Sequence, residues 1–150
     1  MILGLIHDLV PLVKSDGASC YRVGLNYLLG TGRPKIRILA RTFLRCAANS
    51  GIAPAAGMLG DTYLGVGTPK AAREIIKWYT KCAELGDPNG QHRLGWAILN
   101  VDCVERDVEK ARKWLTLAAE NGVEEAAEEL VLISQGHYNS GASTEKSSHG

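Results

Sequence analysis

The chain of 150 residues has almost no net charge, with Lys and Arg exceeding Asp and Glu by one. That balance argues for no class of partner by itself. There is no HExxH and no CxxC, and the four histidines, His7, His92, His137 and His149, are scattered. A zinc site needs ligands at short, fixed spacings, so no metal is expected. Gly30-Thr31-Gly32 and Gly65-Val66-Gly67 have no strand before them, which excludes a phosphate-cradling loop. The apolar stretch from Ile2 to Val13 is too short to span a bilayer and is interrupted by His7, Asp8 and Pro11. It also fails as a secretion signal, because no Lys or Arg precedes it and no small-x-small cleavage pattern follows. Gly17-Ala18-Ser19-Cys20 fails as a lipoprotein cleavage box, since glycine stands where an apolar residue belongs. No set of residues meets the geometric outline of a catalytic site, so no catalytic residue and no cofactor are expected.

What is present is self-similarity. Val23-Gly24, Leu59-Gly60 and Leu94-Gly95 recur with their glycines 36 and 35 residues apart, each followed three residues later by Tyr27, Tyr63 or Ile98. A second landmark pairs an aromatic with two small residues: Phe43 with Ala47-Ala48, Trp78 with Cys82-Ala83, Trp114 with Ala118-Ala119. Gly51, Gly86 and Gly122 end these segments, 35 and 36 residues apart. Two landmarks with one period indicate a repeat solenoid. Ala56, Leu59, Gly60 and Tyr63 fall at i, i+3, i+4 and i+7, one face of a first helix, A. Ala111, Trp114, Leu115 and Ala118 do the same on a second helix, B. Small residues on these faces let backbones approach, with the aromatic filling the space beside them. A glycine just past each B helix suits a left-handed position.

These residues resemble the Sel-one-like repeat family, a relative of the tetratricopeptide repeats. Ala56-Gly57-Met58-Leu59-Gly60-Asp61-Thr62-Tyr63 is similar to its Ala-x-x-Leu-Gly-x-x-Tyr segment. Lys110-Ala111-Arg112-Lys113-Trp114-Leu115-Thr116-Leu117-Ala118-Ala119-Glu120-Asn121-Gly122 is similar to its second-helix segment. The resemblance covers about residues 17–134. Repeat one departs from it at Val23, Phe43 and Arg33-Pro34, and repeat three replaces the glycine turn by Asn100-Val101-Asp102-Cys103. The resemblance implies an all-α fold, a right-handed α/α superhelical solenoid of helix-turn-helix repeats.

The expected organisation is an N-terminal capping helix over 1–16, repeats at 17–51, 52–86 and 87–122, a capping helix at 123–135 and a disordered tail at 136–150. The first segment aligns Leu5, Leu9, Val13 and Gly17 with Leu39, Phe43, Ala47 and Gly51, a lone B-type helix bent or shortened by Pro11. Asp87-Pro88 fits a helix start with proline at its first position. The tail is rich in Gly, Ser, Asn and His.

Cys20, Cys46, Cys82 and Cys103 are even in number. Some secreted members of the resembled family bridge helix A to helix B within each repeat. Cys20 holds such an A-helix place, but no cysteine holds a regular partner place. Buried, inert thiols in a reducing, cytoplasmic setting are therefore expected.

Two surfaces are candidates for binding. The resemblance implies that A helices line the concave side. That points to Tyr21, Arg22 and Asn26 of repeat one, Asp61 of repeat two, and His92, Arg93 and Trp96 of repeat three. Trp96 beside Arg93 has the composition of an interaction hot spot; the alternative is that Trp96 packs against the final helix. The second surface is a basic stripe, Arg37, Arg41 and Arg45 at i, i+4 and i+8, with Arg33 and Lys35 before it. It reads either as a solvated face or as a contact for an acidic partner or phosphates. Nucleic acid is disfavoured because the chain is nearly neutral and no aromatics are interleaved with the arginines. Up to Asn49, seven basic residues oppose two acidic ones, a net +5; from Val104 to Leu130, four oppose eight, a net −4. These opposite ends predict weak head-to-tail self-association.

The expected function is a non-catalytic protein–protein interaction module, an adaptor or scaffold binding on its concave face. The alternative is an immunity-type inhibitor that occludes one enzyme or toxin, favoured by the short chain without a fused domain.

Overall fold

A computed structural model of the protein describes residues 4, 7–10, 14 and 16–138. Its helices are α1 (Gly17–Leu29), α2 (Arg37–Asn49), α3 (Ala53–Asp61), α4 (Pro69–Glu84), α5 (Pro88–Asn100), α6 (Val108–Glu120) and α7 (Glu124–Ser134). Local sequence explains where they start and stop. Thr68, Asp87 and Asp107 cap α4, α5 and α6 by accepting the backbone N–H of Ala71, Gly90 and Lys110. Pro69 and Pro88 sit in first turns that have no carbonyl to offer them. At the other end of each B helix, Gly51, Gly86 and Gly122 take φ between +83° and +88°. The N–H of the next residue then reaches back five residues: Ile52 to Ala47, Asp87 to Cys82, Val123 to Ala118. This six-residue closure satisfies the orphan carbonyls and turns the chain into the next A helix.

Consecutive helices pack against one another, and α5 also touches α3 and α7. The result is an all-α solenoid of helix-turn-helix repeats. The seam between A and B helices follows one rule. A Cβ added at Gly24, Gly60 or Gly95 would lie 3.0, 2.5 or 2.6 Å from Leu44, Tyr79 or Leu115. Each glycine therefore faces the residue after the B-helix aromatic. Phe43 and Trp78 instead join the cluster around Cys20, Val23, Tyr27 and Leu59, whereas Tyr79 joins Leu94, Ile98 and Leu115. Tyr63 packs against both clusters.

The glycine-poor turn of repeat three is built by Cys103, which takes φ 66°. Gly65 and Gly67 hold such angles in repeat two without a Cβ to crowd.

Residues 7–10 are helical, and Asp8 is buried. Its carboxylate accepts the Tyr27 hydroxyl at 2.8 Å and pairs with Arg33. What reads in sequence as an interruption of an apolar run is an anchor onto repeat one. Pro11 lies outside the described residues. At the other end, residues 136–138 form a turn in which Tyr138 packs on the second cluster and donates to Glu129 at 2.9 Å. The remainder of the expected tail, 139–150, lies outside the described residues.

The cysteines differ from expectation. Cys20 of α1 and Cys46 of α2 form a disulfide, with Cα atoms 6.1 Å apart. Cys46 stands one residue before the small pair, so it matched no regular place. Pairing depends on which turns of two crossing helices bring their Cα atoms within about 7 Å, and spacing along one chain does not show that. Cys82 is buried and free, and Cys103 is exposed and free.

Candidate protein-binding surfaces

Two separate surfaces carry the expected residues. On the A helices, Asp61 is the hub. One carboxylate oxygen accepts the Tyr79 hydroxyl at 2.6 Å, and the other meets Arg93 at 3.3 Å. Since Asp61 belongs to α3, Tyr79 to α4 and Arg93 to α5, the hub ties two A helices and a B helix together. Burial raises the Tyr79 pKa first, and its bond to the Asp61 carboxylate raises it further. Near it, burial and then the charge of Asp87 push the Cys82 thiol up to about 11, far from a nucleophile's range.

The other expected A-helix residues differ in exposure. Tyr21 is half-buried, its hydroxyl 3.8 Å from the Met58 sulfur. Arg22 is exposed, and Asn26 and His92 are half-buried. Trp96 is half-buried at the rim of a cavity of about 260 Å³, shared with Leu64, Gly67 and Ala72 of repeat two. Trp96 also packs against the cluster that includes Ala126 and Ile133 of the final helix, while the cavity opens toward the preceding repeat. Sequence reading missed Tyr79 and Gln91. Gln91 is buried where repeat two has Ala56, and its amide oxygen meets no donor among the described residues.

The basic stripe divides. Arg33 turns toward Asp8 and lies over the Tyr27 ring at 5.6 Å. Arg37 is exposed. Arg41 and Arg45 form one wall of a groove of about 660 Å³ whose opposite wall is the start of α4, with Lys70, Glu74 and Lys77. Arg41 is held by two hydrogen bonds to Thr62, one through Nε at 2.9 Å to the hydroxyl, and lies 4.0 Å over the Tyr63 ring. Arg45 reaches the Tyr63 hydroxyl at 3.4 Å. Sequence reading did not point to Lys70, Lys77 or Tyr63 as contact residues. Only the fold, which sets the start of α4 and the turn after α3 around the groove opposite α2, brings them to the arginines.

Among the described residues, no three His, Cys, Asp or Glu side chains group to hold a metal ion, and no helix is long and apolar enough to cross a membrane.

Comparison with known proteins agrees with the repeat architecture. A family profile described as the Sel1 repeat matches three times, at residues 17–52, 53–87 and 88–123. A Sel1 repeat protein from Oxalobacter formigenes has a similar solved structure, with a TM-score of 0.68 and 29% identity over 85% of this chain and 97% of that one. A protective antigen of uropathogenic Escherichia coli with the Sel1-like repeat fold also matches, at a TM-score of 0.39 and 25% identity over 88% of this chain and 36% of that one. No curated protein sequence matches the chain. With three consecutive units in register with its helix pairs, this chain belongs to the Sel1 repeat family.

Proposed function

We propose that the protein is a non-catalytic scaffold or adaptor that holds a protein partner against its A helices. Sel1 repeats generally mediate protein–protein contacts, and the A-helix surface supports this use here. The observation that carries the reading is the Asp61 hub, which links α3, α4 and α5, with His92 and Trp96 on the same helix as its partner Arg93. A half-buried Trp on a rigid frame loses little freedom on binding, which is how a few residues come to dominate an interface.

Affinity capture from native lysate, with stoichiometry measured, tests it. Replacing both His92 and Trp96 by Ala is expected to abolish capture of a stoichiometric partner while the thermal melt stays cooperative. Undiminished capture by the double variant overturns the placement. The immunity-type inhibitor reading predicts one tight partner and the adaptor two or more, so the same stoichiometry separates them. A cytoplasmic setting had rested on unpaired thiols. The Cys20–Cys46 bond removes that ground, because such bonds persist chiefly in oxidising compartments.

A further inference from the structure

We propose that the groove between repeats one and two is a docking site for an acidic segment of a partner protein. This deepens the protein-binding reading by naming the chemistry of a partner, and it places that contact on a surface other than the A-helix face. The groove is lined by Arg41, Arg45, Lys70 and Lys77 against a single acid, Glu74. None of the four cations is ion-paired with a carboxylate among the described residues. Glu74 instead accepts the Trp78 indole N–H at 2.8 Å.

The next groove along the solenoid is an internal control. It occupies the equivalent place between repeats two and three and measures about 550 Å³. There, Ile76 and Ile98 stand one period after Arg41 and Tyr63. Its charged lining is mixed, with Arg106 and Lys110 against Glu105, Asp107 and Glu109. The architecture therefore builds the groove without any excess of positive charge. The excess of three charges between repeats one and two is an addition that packing does not require.

The shape of the charge favours a peptide over a single phosphate. Lys70 and Lys77 are seven residues apart on α4, about 10 Å along the helix at ~1.5 Å per residue. That matches about three residues of extended chain at ~3.3 Å each. Cations on both walls can therefore meet successive carboxylates through charge-assisted hydrogen bonds. Between them lie the Tyr63 ring, Val66 and Ala71, an apolar floor for the methylenes of Glu side chains. Arg41 is already oriented by Thr62 and Tyr63, which lowers the entropy lost on binding.

The probe is a fluorescein-labelled decaglutamate peptide, followed by anisotropy at low salt against the full chain. Wild type is expected to bind, with affinity falling as salt rises. Arg45→Glu/Lys77→Glu is expected to weaken binding by at least about ten-fold, and Arg45→Gln/Lys77→Gln by less. Lys14→Glu/Lys113→Glu makes the same change in net charge away from the groove and is expected to stay within about two-fold of wild type. Circular dichroism melts confirm that each variant is folded. Absence of binding, or equal loss in both charge-reversed variants, overturns the proposal. So does displacement of the peptide by an equal concentration of inorganic phosphate, or tighter binding of an oligothymidine of the same length. Light scattering that shows wild-type self-association abolished by the groove variant, with no binding of the peptide, assigns the groove to a second copy and also overturns it. The assay contains no native partner, so its failure leaves the A-helix capture result standing.

Discussion

Tyr79 and Cys82 are three residues apart on α4, and both are buried groups whose neutral forms the fold prefers. Their ordinary values are 10.0 and 9.0, and both are raised in the folded chain, Cys82 to about 11. A raised pKa on a group that ionises to an anion stabilises the fold fully below the unfolded value. That stability is lost as pH rises through the folded one. The window opens near pH 9 for Cys82 and closes for it at about 11, with Tyr79 extending it upward. Thermal melts from about pH 7 to 11 should therefore show a falling Tm above about pH 9. Tyr79→Phe should lower Tm at neutral pH, since it removes a hydrogen bond worth about 1 kcal/mol, and should make the alkaline decline shallower. An unchanged slope in that variant would show that Tyr79 does not contribute. Asp61 itself was legible in sequence as a candidate residue. Its use was not, because Tyr79 and Arg93 lie on other helices and reach it only through packing.

Between elements, the recurring contact is an A-helix glycine against a B-helix side chain. Of Gly24, Gly60 and Gly95, Gly60 is the tightest, with the place of its missing Cβ 2.5 Å from the Tyr79 ring, whereas at Gly24 the nearest atom of Leu44 is 3.0 Å away. Gly60→Ala is expected to lose about 1–3 kcal/mol through overpacking, read as a lower urea midpoint. Gly24→Ala should lose less, because a leucine can shift where a ring held by Asp61 cannot. The reverse ranking would show that the seam relaxes differently from the static geometry. The period of these glycines was plain in the sequence. Their true partner was not, since helical spacing places the aromatic and the following residue about 100° apart and leaves the choice between them to the crossing of the helices.

Across the whole molecule, each repeat rests mainly on its neighbours, so stability is a sum of local terms. The Cys20–Cys46 bond adds to that sum at one end, joining α1 to α2 across 26 residues of chain. Loop-closure entropy for that span is worth about 3.5 kcal/mol. Reduction, or Cys20→Ala/Cys46→Ala, is expected to destabilise repeat one first. Native-state hydrogen exchange would then speed up in α1 and α2 while α5 and α6 keep their protection. Uniform loss across all helices would instead mark the solenoid as one cooperative unit. The charge asymmetry between the ends, +5 and −4, belongs to this scale as well.

The sequence alone determined the period, the helix pairing, the glycine-closed ends of the B helices and the all-α class, because these rest on spacing and on single-residue backbone preferences. Tertiary structure alone decided the pairing of Cys20 with Cys46, the anchoring of Asp8 by Tyr27 and Arg33, and the Asp61 hub. It also split the arginine stripe, sending Arg33 inward and joining Arg41 and Arg45 to Lys70 and Lys77. The physical reason is common to all of them. Each joins side chains from different helices, and the geometry between helices is fixed by how their faces interlock, a relation that no periodicity within one helix encodes.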